Sequence, residues 1–205
     1  MSARELENLL AILPTSHDSA GHRLTANPAL DDWLRRGTLA RVIASLLGAG
    51  ARPIRAILFN KSEDTNWALG WHQDRTIAVK ARADLPGFGP WTLKSGILHV
   101  EPPFALIESM VTARIHIDAV DALNAPLLAA PGSHRQGRIK EADIDSVVAQ
   151  CGTTACLASA TDIWLYRTAI LHASDAMRRS GTRRVLQVDF SAEALPPPLE
   201  WQGIS

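Results

Sequence analysis

Apolar residues recur at helical spacing in the first quarter of the chain and at strand spacing after it. Leu6, Leu9, Leu10 and Leu13 share one helix face, and Pro14 stops that helix. Pro28 suits a first helical turn, with Leu30, Trp33 and Leu34 on one side. Thr38 can cap a third helix, whose Leu39, Val42, Ile43, Leu46 and Leu47 form an apolar stripe ended by Gly48 and Gly50. The polar stretch from Thr15 to Arg23 reads as a loop. Short β-type runs follow at Ile54–Phe59, Thr76–Lys80, Met110–Asp118, Ala160–Leu171 and Arg184–Phe190, separated by Gly, Pro, Asn and Asp. Pro126–Ala130 adds a brief strand entering the Pro131-Gly132 turn, and a late helix is expected over Glu141–Gln150. Pro196-Pro197-Pro198 reads as an extended tail. Helices first and many short strands after predict an α+β chain. Its core would be a double-stranded β-helix, a jelly roll of cupin-like kind, with the N-terminal helices packed outside. The expectation is one domain over residues 1–205, with a helical lead-in over 1–50 and the jelly-roll core over 52–191.

At 205 residues, 46% hydrophobic and 20% charged, the chain is long enough to bury a core and has a globular balance. Lys plus Arg equal Asp plus Glu, 21 against 21, so net charge favours neither nucleic acid nor an anionic membrane as partner. The opening residues turn acidic at Glu5 and no long apolar run follows, so neither a signal peptide nor a transmembrane span is expected. Cys151 and Cys156 lack the further Cys or nearby His that would complete a metal site. Two reduced thiols in a cytoplasmic protein are the expectation.

One spacing changes the picture. In Trp71-His72-Gln73-Asp74 a histidine and a carboxylate stand two apart, and a second histidine lies far downstream in Leu171-His172-Ala173-Ser174. Two histidines and one carboxylate can hold one face of a non-haem Fe(II) and leave positions open. A strand's period of two would put His72 and Asp74 on the same side, and a barrel can bring His172 to the same wall. The short motif alone is weak, since seven histidines make a chance match expected. A rival, His116-Ile117-Asp118, lacks the accompanying residues and reads as an outward-facing polar row.

Taken together, four segments resemble the phytanoyl-CoA dioxygenase family of Fe(II)/2-oxoglutarate oxygenases. They are Trp71-His72-Gln73-Asp74; Asn124-Ala125-Pro126-Leu127 leading into Pro131-Gly132-Ser133-His134-Arg135-Gln136-Gly137; Leu171-His172-Ala173-Ser174; and Arg183-Arg184. The likeness covers roughly residues 52 to 191. It departs at Asn124-Ala125, where the family usually has Asn-Gly, and over Asp84–Pro103, which matches no family-wide pattern.

The resemblance implies that His72, Asp74 and His172 bind Fe(II), and that 2-oxoglutarate is the cosubstrate, consumed with O2 to give succinate and CO2 while a small-molecule substrate is hydroxylated. Asp74 favours hydroxylation over halogenation, because halogenating relatives have a small residue there. The far carboxylate of 2-oxoglutarate needs a cation, and arginine offers a bidentate fork. Spacing from His172 points to Arg183. Strand alternation instead groups Arg184 with Leu186, Val188 and Phe190, and Arg183 with Gln187 and Asp189. Ser174 is placed by the resemblance to hydrogen-bond the cosubstrate, or is a turn residue. Ile57 packs against the cosubstrate or in the ordinary core. Arg114 either faces outward to pair with Asp118 or Glu108, or lines the cavity and meets an acidic group.

Of the remaining histidines, His134 is expected to make a structural hydrogen bond, His99 to be structural, and His17 and His22 carry no signal. Trp67 and Trp164 read as core, and Trp71 and Trp91 as neighbours of a pocket. Residues 84–103 would shape that pocket. The sequence has no evident basic cluster for a polyphosphate substrate, which turns expectation toward a small molecule. A reading from another class is a cupin-like metal-binding or sensing module without turnover.

Overall fold

The computed structural model describes residues 1–14 and 21–205, so His17 and the first part of the expected loop lie outside the described residues. Helix α1 (Ala3–Ile12) opens with a capping box: Ser2 Oγ accepts from Glu5 N, and Glu5 Oε2 accepts from Ser2 N. Helix α2 (Pro28–Leu34) is capped by Asn27, whose Oδ1 accepts from Leu30 N at 3.0 Å. Helix α3 (Gly37–Leu47) corrects one expectation: its N-cap is Arg36, with no side-chain cap, and Thr38 instead accepts a bond from Arg41 one turn on. Gly48, at φ +92°, ends it. Only Leu39 and Ile43 of the stripe are buried; Val42 and Leu46 face outward.

The largest sheet contains β1 (Gly21–Leu24), β2 (Arg52–Lys61), β7 (Val111–His116), β10 (Ile163–Arg167) and β12 (Arg183–Ser191), ordered β1-β2-β12-β7-β10 and antiparallel throughout. Gly21–Arg23 is therefore strand rather than loop. A second sheet, ordered β3-β11-β8-β9, is made of β3 (Leu69–His72), β11 (His172–Ser174), β8 (Leu127–Ala129) and β9 (Thr154–Cys156). A third joins β4 (Ile77–Ala78) to the hairpin β5 (Trp91–Lys94) and β6 (Ile97–Val100). The hairpin is what residues 84–103 build. Its two-residue turn, Ser95-Gly96, has φ +51° and +76°, the hand that matches strand twist. Helix α4 (Phe104–Glu108) precedes β7, and the late helix is a 3-10 turn at Glu141–Asp143 running into α5 (Ile144–Cys151). Antiparallel sheets with a few helices make an α+β fold with a jelly-roll core, as expected. No helix among the described residues is long and apolar enough to cross a membrane.

Strand alternation divides the large sheet into two unlike faces. Ala56 and Leu58, Ala113 and Ile115, and Leu186, Val188 and Phe190 meet the buried side of α1–α3 in one apolar cluster. The opposite face carries Arg55, Ile57, Phe59, Lys61, Thr112, Arg114, His116, Arg183, Gln187 and Asp189, set side by side by the register Arg183↔Lys61, Gln187↔Ile57, Asp189↔Arg55 and Gln187↔Arg114. Most of these polar groups are buried.

Other expectations are revised. The run Ala160–Leu171 is strand only over β10, because Ile170 N turns back to Arg167 O and breaks the chain before His172. The three prolines form no extended tail: Leu195 and Leu199 pack into a second apolar cluster around Val79 and Val100, and Trp201 bridges to Val79. Both cysteines are free thiols.

Gln73 ties these parts together. Its amide donates to Gly137 O (3.0 Å) and Ala169 O (2.7 Å) and accepts from Ile139 N (2.9 Å). Replacing it by leucine leaves these partners without it in a buried place, at about 3 kcal/mol in all. Urea unfolding of Gln73→Leu is expected to show that loss with an unchanged m-value; a loss below about 1 kcal/mol would mean the amide is no tie.

Candidate metal centre

His72 ends β3 and His172 begins β11, and the two are direct cross-strand partners with ring centroids 4.3 Å apart. Each ring is fixed the same way. His72 Nδ1 lies 2.8 Å from Gly70 O and His172 Nδ1 3.0 Å from Ile170 O, so each carbonyl takes a proton from Nδ1 and leaves Nε2 as a lone-pair donor. Asp74 lies beyond the end of β3, so strand alternation does not aim it. The Gln73 anchors and Arg55 do. One ligand atom from each of His72, Asp74 and His172 comes within 4.8 Å of the others, a grouping that could hold a metal ion.

The charge states suit a divalent ion. Burial pushes His172 down to about 4, so its imidazole is neutral near pH 7. Burial would raise the Asp74 carboxyl, but Arg55, with His172 and His72 beside it, holds it down at about 2. Arg55 Nη2 donates to Asp74 Oδ2 at 3.1 Å, while its Nε is bonded to Asp189. Asp189 in turn accepts from Thr112 Oγ1 at 2.8 Å, and Thr112 lies 3.0 Å from Thr168 Oγ1. Two neutral nitrogens and one carboxylate, oriented from behind, match the donor set of a 2-His-1-carboxylate iron site.

The ligands open into a cavity of about 490 Å3. Ile57, Phe59, Trp67, Leu69 and Leu127 form its apolar wall, and Ser174 lies at its edge. Arg183 turns in, is 2% exposed, and donates to Ala125 O at 3.0 Å, while its Nε has no partner among the described residues. Arg184 turns out and grips Asp118 through Nε and Nη2 at 2.9 and 2.8 Å. Arg114 therefore does not pair with Asp118 or Glu108; it lines the cavity and donates to Gln187 Oε1 at 2.8 Å. Lys61, wholly buried beside them, donates to Ser174 Oγ at 2.9 Å. Among the described residues none of Lys61, Arg114 and Arg183 has a carboxylate in contact. Burial first, then Arg183 and Arg114, lowers Lys61 to about 8; burial first, then Arg114, lowers Arg183 to about 9.

Six cationic side chains line the cavity, Arg23, Arg55, Arg75, Lys94, Arg114 and Arg183, against the one carboxylate of Asp74. The expectation of no basic cluster is thus corrected: the cations come from positions scattered over the chain. Sequence reasoning also missed Arg55 and Lys61, although their place in β2 with Ile57 and Phe59 gives them the parity of the cavity wall. Trp67 lines the cavity, whereas Trp71 packs with Leu171, Ile139 and Val147, and Trp91 in the second apolar cluster. The rival pair divides: His116 is buried, not outward, with Nδ1 3.2 Å from Asp162 O, and Asp118 serves Arg184. His134 Nδ1 is buried without the expected hydrogen bond. His99 is fully buried, its Nδ1 2.9 Å from Ile97 O.

Known proteins share this arrangement of sheets. AviO1 from Streptomyces viridochromogenes Tue57 superposes with a TM-score of 0.64 at 17% identity, covering 96% of this chain and 88% of that one. EctD from S. alaskensis with bound Fe gives 0.66 at 17%, covering 93% and 69%. HygX from Streptomyces hygroscopicus with nickel, 2-oxoglutarate and hygromycin B bound gives 0.60 at 15%, covering 93% and 79%. At such identities the likeness speaks for the fold. No curated protein matches the chain by sequence. The family model for phytanoyl-CoA dioxygenase (PhyH) matches residues 14–185. That span runs from before the first strand of the large sheet into its last and includes His72, Asp74 and His172, and the chain accordingly belongs to the phytanoyl-CoA dioxygenase family of Fe(II)/2-oxoglutarate oxygenases.

Proposed function

We propose that the protein is an Fe(II)- and 2-oxoglutarate-dependent dioxygenase that hydroxylates a C–H bond of a small molecule. The overall change balances as substrate C–H, O2 and 2-oxoglutarate going to C–OH, succinate and CO2. The observation that carries this reading is the convergence of His72, Asp74 and His172 on the wall of a cavity whose Arg114 and Arg183 have no carboxylate in contact among the described residues. Family membership and solved relatives holding iron, nickel or 2-oxoglutarate support the same assignment.

Bound iron with 2-oxoglutarate would supply the activation of O2. The remaining work falls to this chain. His72 and His172 present Nε2, and Asp74 offers the oxygen that Arg55 does not take. Arg183, backed by Lys61 and Arg114, grips the far carboxylate of 2-oxoglutarate, which repairs an otherwise uncompensated burial of charge. Ser174, already bound to Lys61, sits where it can donate to the same molecule, and Ile57 packs along its carbon chain. The apolar wall of Phe59, Trp67 and Leu127 keeps water from the reacting centre.

Succinate production from 2-oxoglutarate is expected to require Fe(II) and to vanish in Asp74→Ala, whose fold should persist by circular dichroism. Protein that binds metal yet makes no succinate with any of a broad substrate panel would instead be a binding or sensing module. Arg183→Met is expected to raise the KM for 2-oxoglutarate on the order of a hundredfold, the scale of truncating one partner of a buried charge pair. The pH dependence has a definite sign. Lys61 carries a lowered value, so it loses charge as pH rises through about 8 and 2-oxoglutarate binding weakens over that range, while the guanidinium of Arg183 stays charged there. Lys61→Met should bind 2-oxoglutarate more weakly at pH 7 and lose that fall. A KM flat with pH in the unmodified protein would show that Lys61 does not help hold the dicarboxylate.

A further inference from the structure

The cavity holds more positive charge than one dicarboxylate can use. Its cations fall into two groups. Arg114 and Arg183 line it from β7 and β12, with the buried Lys61 beside them. Arg23 and Lys94 line it from β1 and β5, and both feel Arg55 and Asp74 rather than the first group. Arg23, opposite Ile57, and Arg114, opposite Gln187, share one cross-strand row but stand three strand spacings apart, roughly 14 Å.

Each cation near Asp74 can be accounted for in turn. Arg55 is shared between Asp74 and Asp189. Arg75 donates to Ile139 O at 2.7 Å and has Glu141 at 3.7 Å. Arg23 and Lys94 have no such commitment: Arg23 Nη1 reaches Ser95 Oγ at 3.3 Å and Lys94 Nζ reaches Thr76 Oγ1 at 3.2 Å, both neutral hydroxyls. Arg23 Nε is buried with no hydrogen-bond partner among the described residues. Both side chains are half-buried and line the same cavity as the metal ligands. Burial first, then Arg55, lowers the affinity of each for its proton, the signature of positive charge short of a counter-ion. Their elements differ. Arg23 comes from edge strand β1, opposite Ile57, and Lys94 from the end of β5, in the hairpin built by the segment that carries no family pattern.

Building on the oxygenase reading above, we propose that the substrate is a small organic anion with an apolar body, a carboxylate or a phosphate ester, whose charged group is held by Arg23 and Lys94. The body would lie against Phe59, Trp67 and Leu69, with the C–H to be hydroxylated turned toward His72 and Asp74. A neutral or cationic compound of the same shape would leave both cations uncompensated and be rejected.

The test is calorimetric titration of the protein loaded with Ni(II) and saturating 2-oxoglutarate, using four probes with one carbon skeleton: hexanoate, hexyl phosphate, hexanamide and hexylamine. Saturating 2-oxoglutarate keeps the probes off the Arg183 group. At least one anion is expected to bind roughly tenfold or more tightly than the amide, with the amine weakest, and to lose that preference in Arg23→Gln/Lys94→Gln. Which anion wins distinguishes the carboxylate from the phosphate ester. Should the double variant not fold, Lys94→Gln alone must still cut the preference at least threefold, and Lys94→Arg restore it. Equal binding of anion and amide, no binding of either anion at millimolar concentration, or a preference that survives these substitutions would overturn the proposal. Failure of the oxygenase reading looks different: 2-oxoglutarate would then fail to bind the metal-loaded protein, whatever the probes do at Arg23 and Lys94.

Discussion

Arg55 sits between two carboxylates that could not otherwise be buried together. Asp189 is 1% exposed in the middle of the large sheet, and Asp74 lies beside it on the neighbouring wall. Burial pushes Asp189 upward against the pull of Arg55, whereas Asp74 is held ionised. Removing one member of such a group leaves a charge stranded in low dielectric, at about 3–5 kcal/mol. The arrangement also has a chemical consequence. Arg55 engages one oxygen of Asp74 and is itself held by Asp189 through Nε, so the carboxylate is presented to a metal in one orientation rather than as a free rotor. Thr112 and Thr168 extend the support to β7 and the turn after β10.

From that constraint follows the two-faced character of the sheet. Every second residue of β2, β7 and β12 must be apolar to bury the helices, and the residues between them face the cavity. A jelly roll that bound nothing charged would fill the inner face with hydrophobic side chains as well. Here it keeps Lys61, Arg114 and Arg183 without carboxylates, a state that a folded chain tolerates only where a ligand or solvent supplies the balance. Stability and function therefore pull against each other on alternate residues of the same strands. His116, on the same face, shows the limit: burial first, then Arg114, lowers it to about 4 and keeps it neutral.

How far the sequence foretold this depends on the range of the interaction involved. The helices, the strand alternation and the histidine–carboxylate spacing are local patterns, and they point to α1–α3, the large sheet and the grouping of His72, Asp74 and His172. The conflict between Arg183 and Arg184 was a conflict of parity. It dissolves because the wall holding the ligands is the polar one, so the apolar-set argument for Arg184 described the wrong face. Arg114 could not be read, because whether a lone arginine in an apolar run turns in or out depends on Gln187, a partner 73 residues away. Trp71 differs for a local reason: it neighbours His72 in sequence, yet adjacent residues on a strand point to opposite sides, which sends its ring into the cluster with Leu171. Cations drawn from β1, β2, β5, β7 and β12 form no run in sequence, so no basic segment marks the cavity along the chain.

The order of the family's motifs along the chain has a physical reading. The glutamine between His72 and Asp74 is bonded to Gly137, Ile139 and Ala169, so the first ligand pair is tied both to the Pro131–Gly137 turn and to the approach to the last ligand. Ser133, in that turn, accepts from Leu171 N at 2.9 Å and donates to Ala130 O at 2.8 Å, which fixes the residue before His172. Segments remote in sequence are thus one object in space: a turn whose polar groups hold the two ligand strands at a set separation. A site carried this way is organised by protein–protein hydrogen bonds before any metal arrives. Metal binding then has little backbone to order, unlike small metal domains whose folding waits for the ion. It also explains why a change at Asn124-Ala125 is tolerable. Ala125 takes φ +60°, a conformation that favours glycine, and its carbonyl still receives Arg183. The strain falls on a turn that holds Arg183, not on the scaffold that spaces His72, Asp74 and His172.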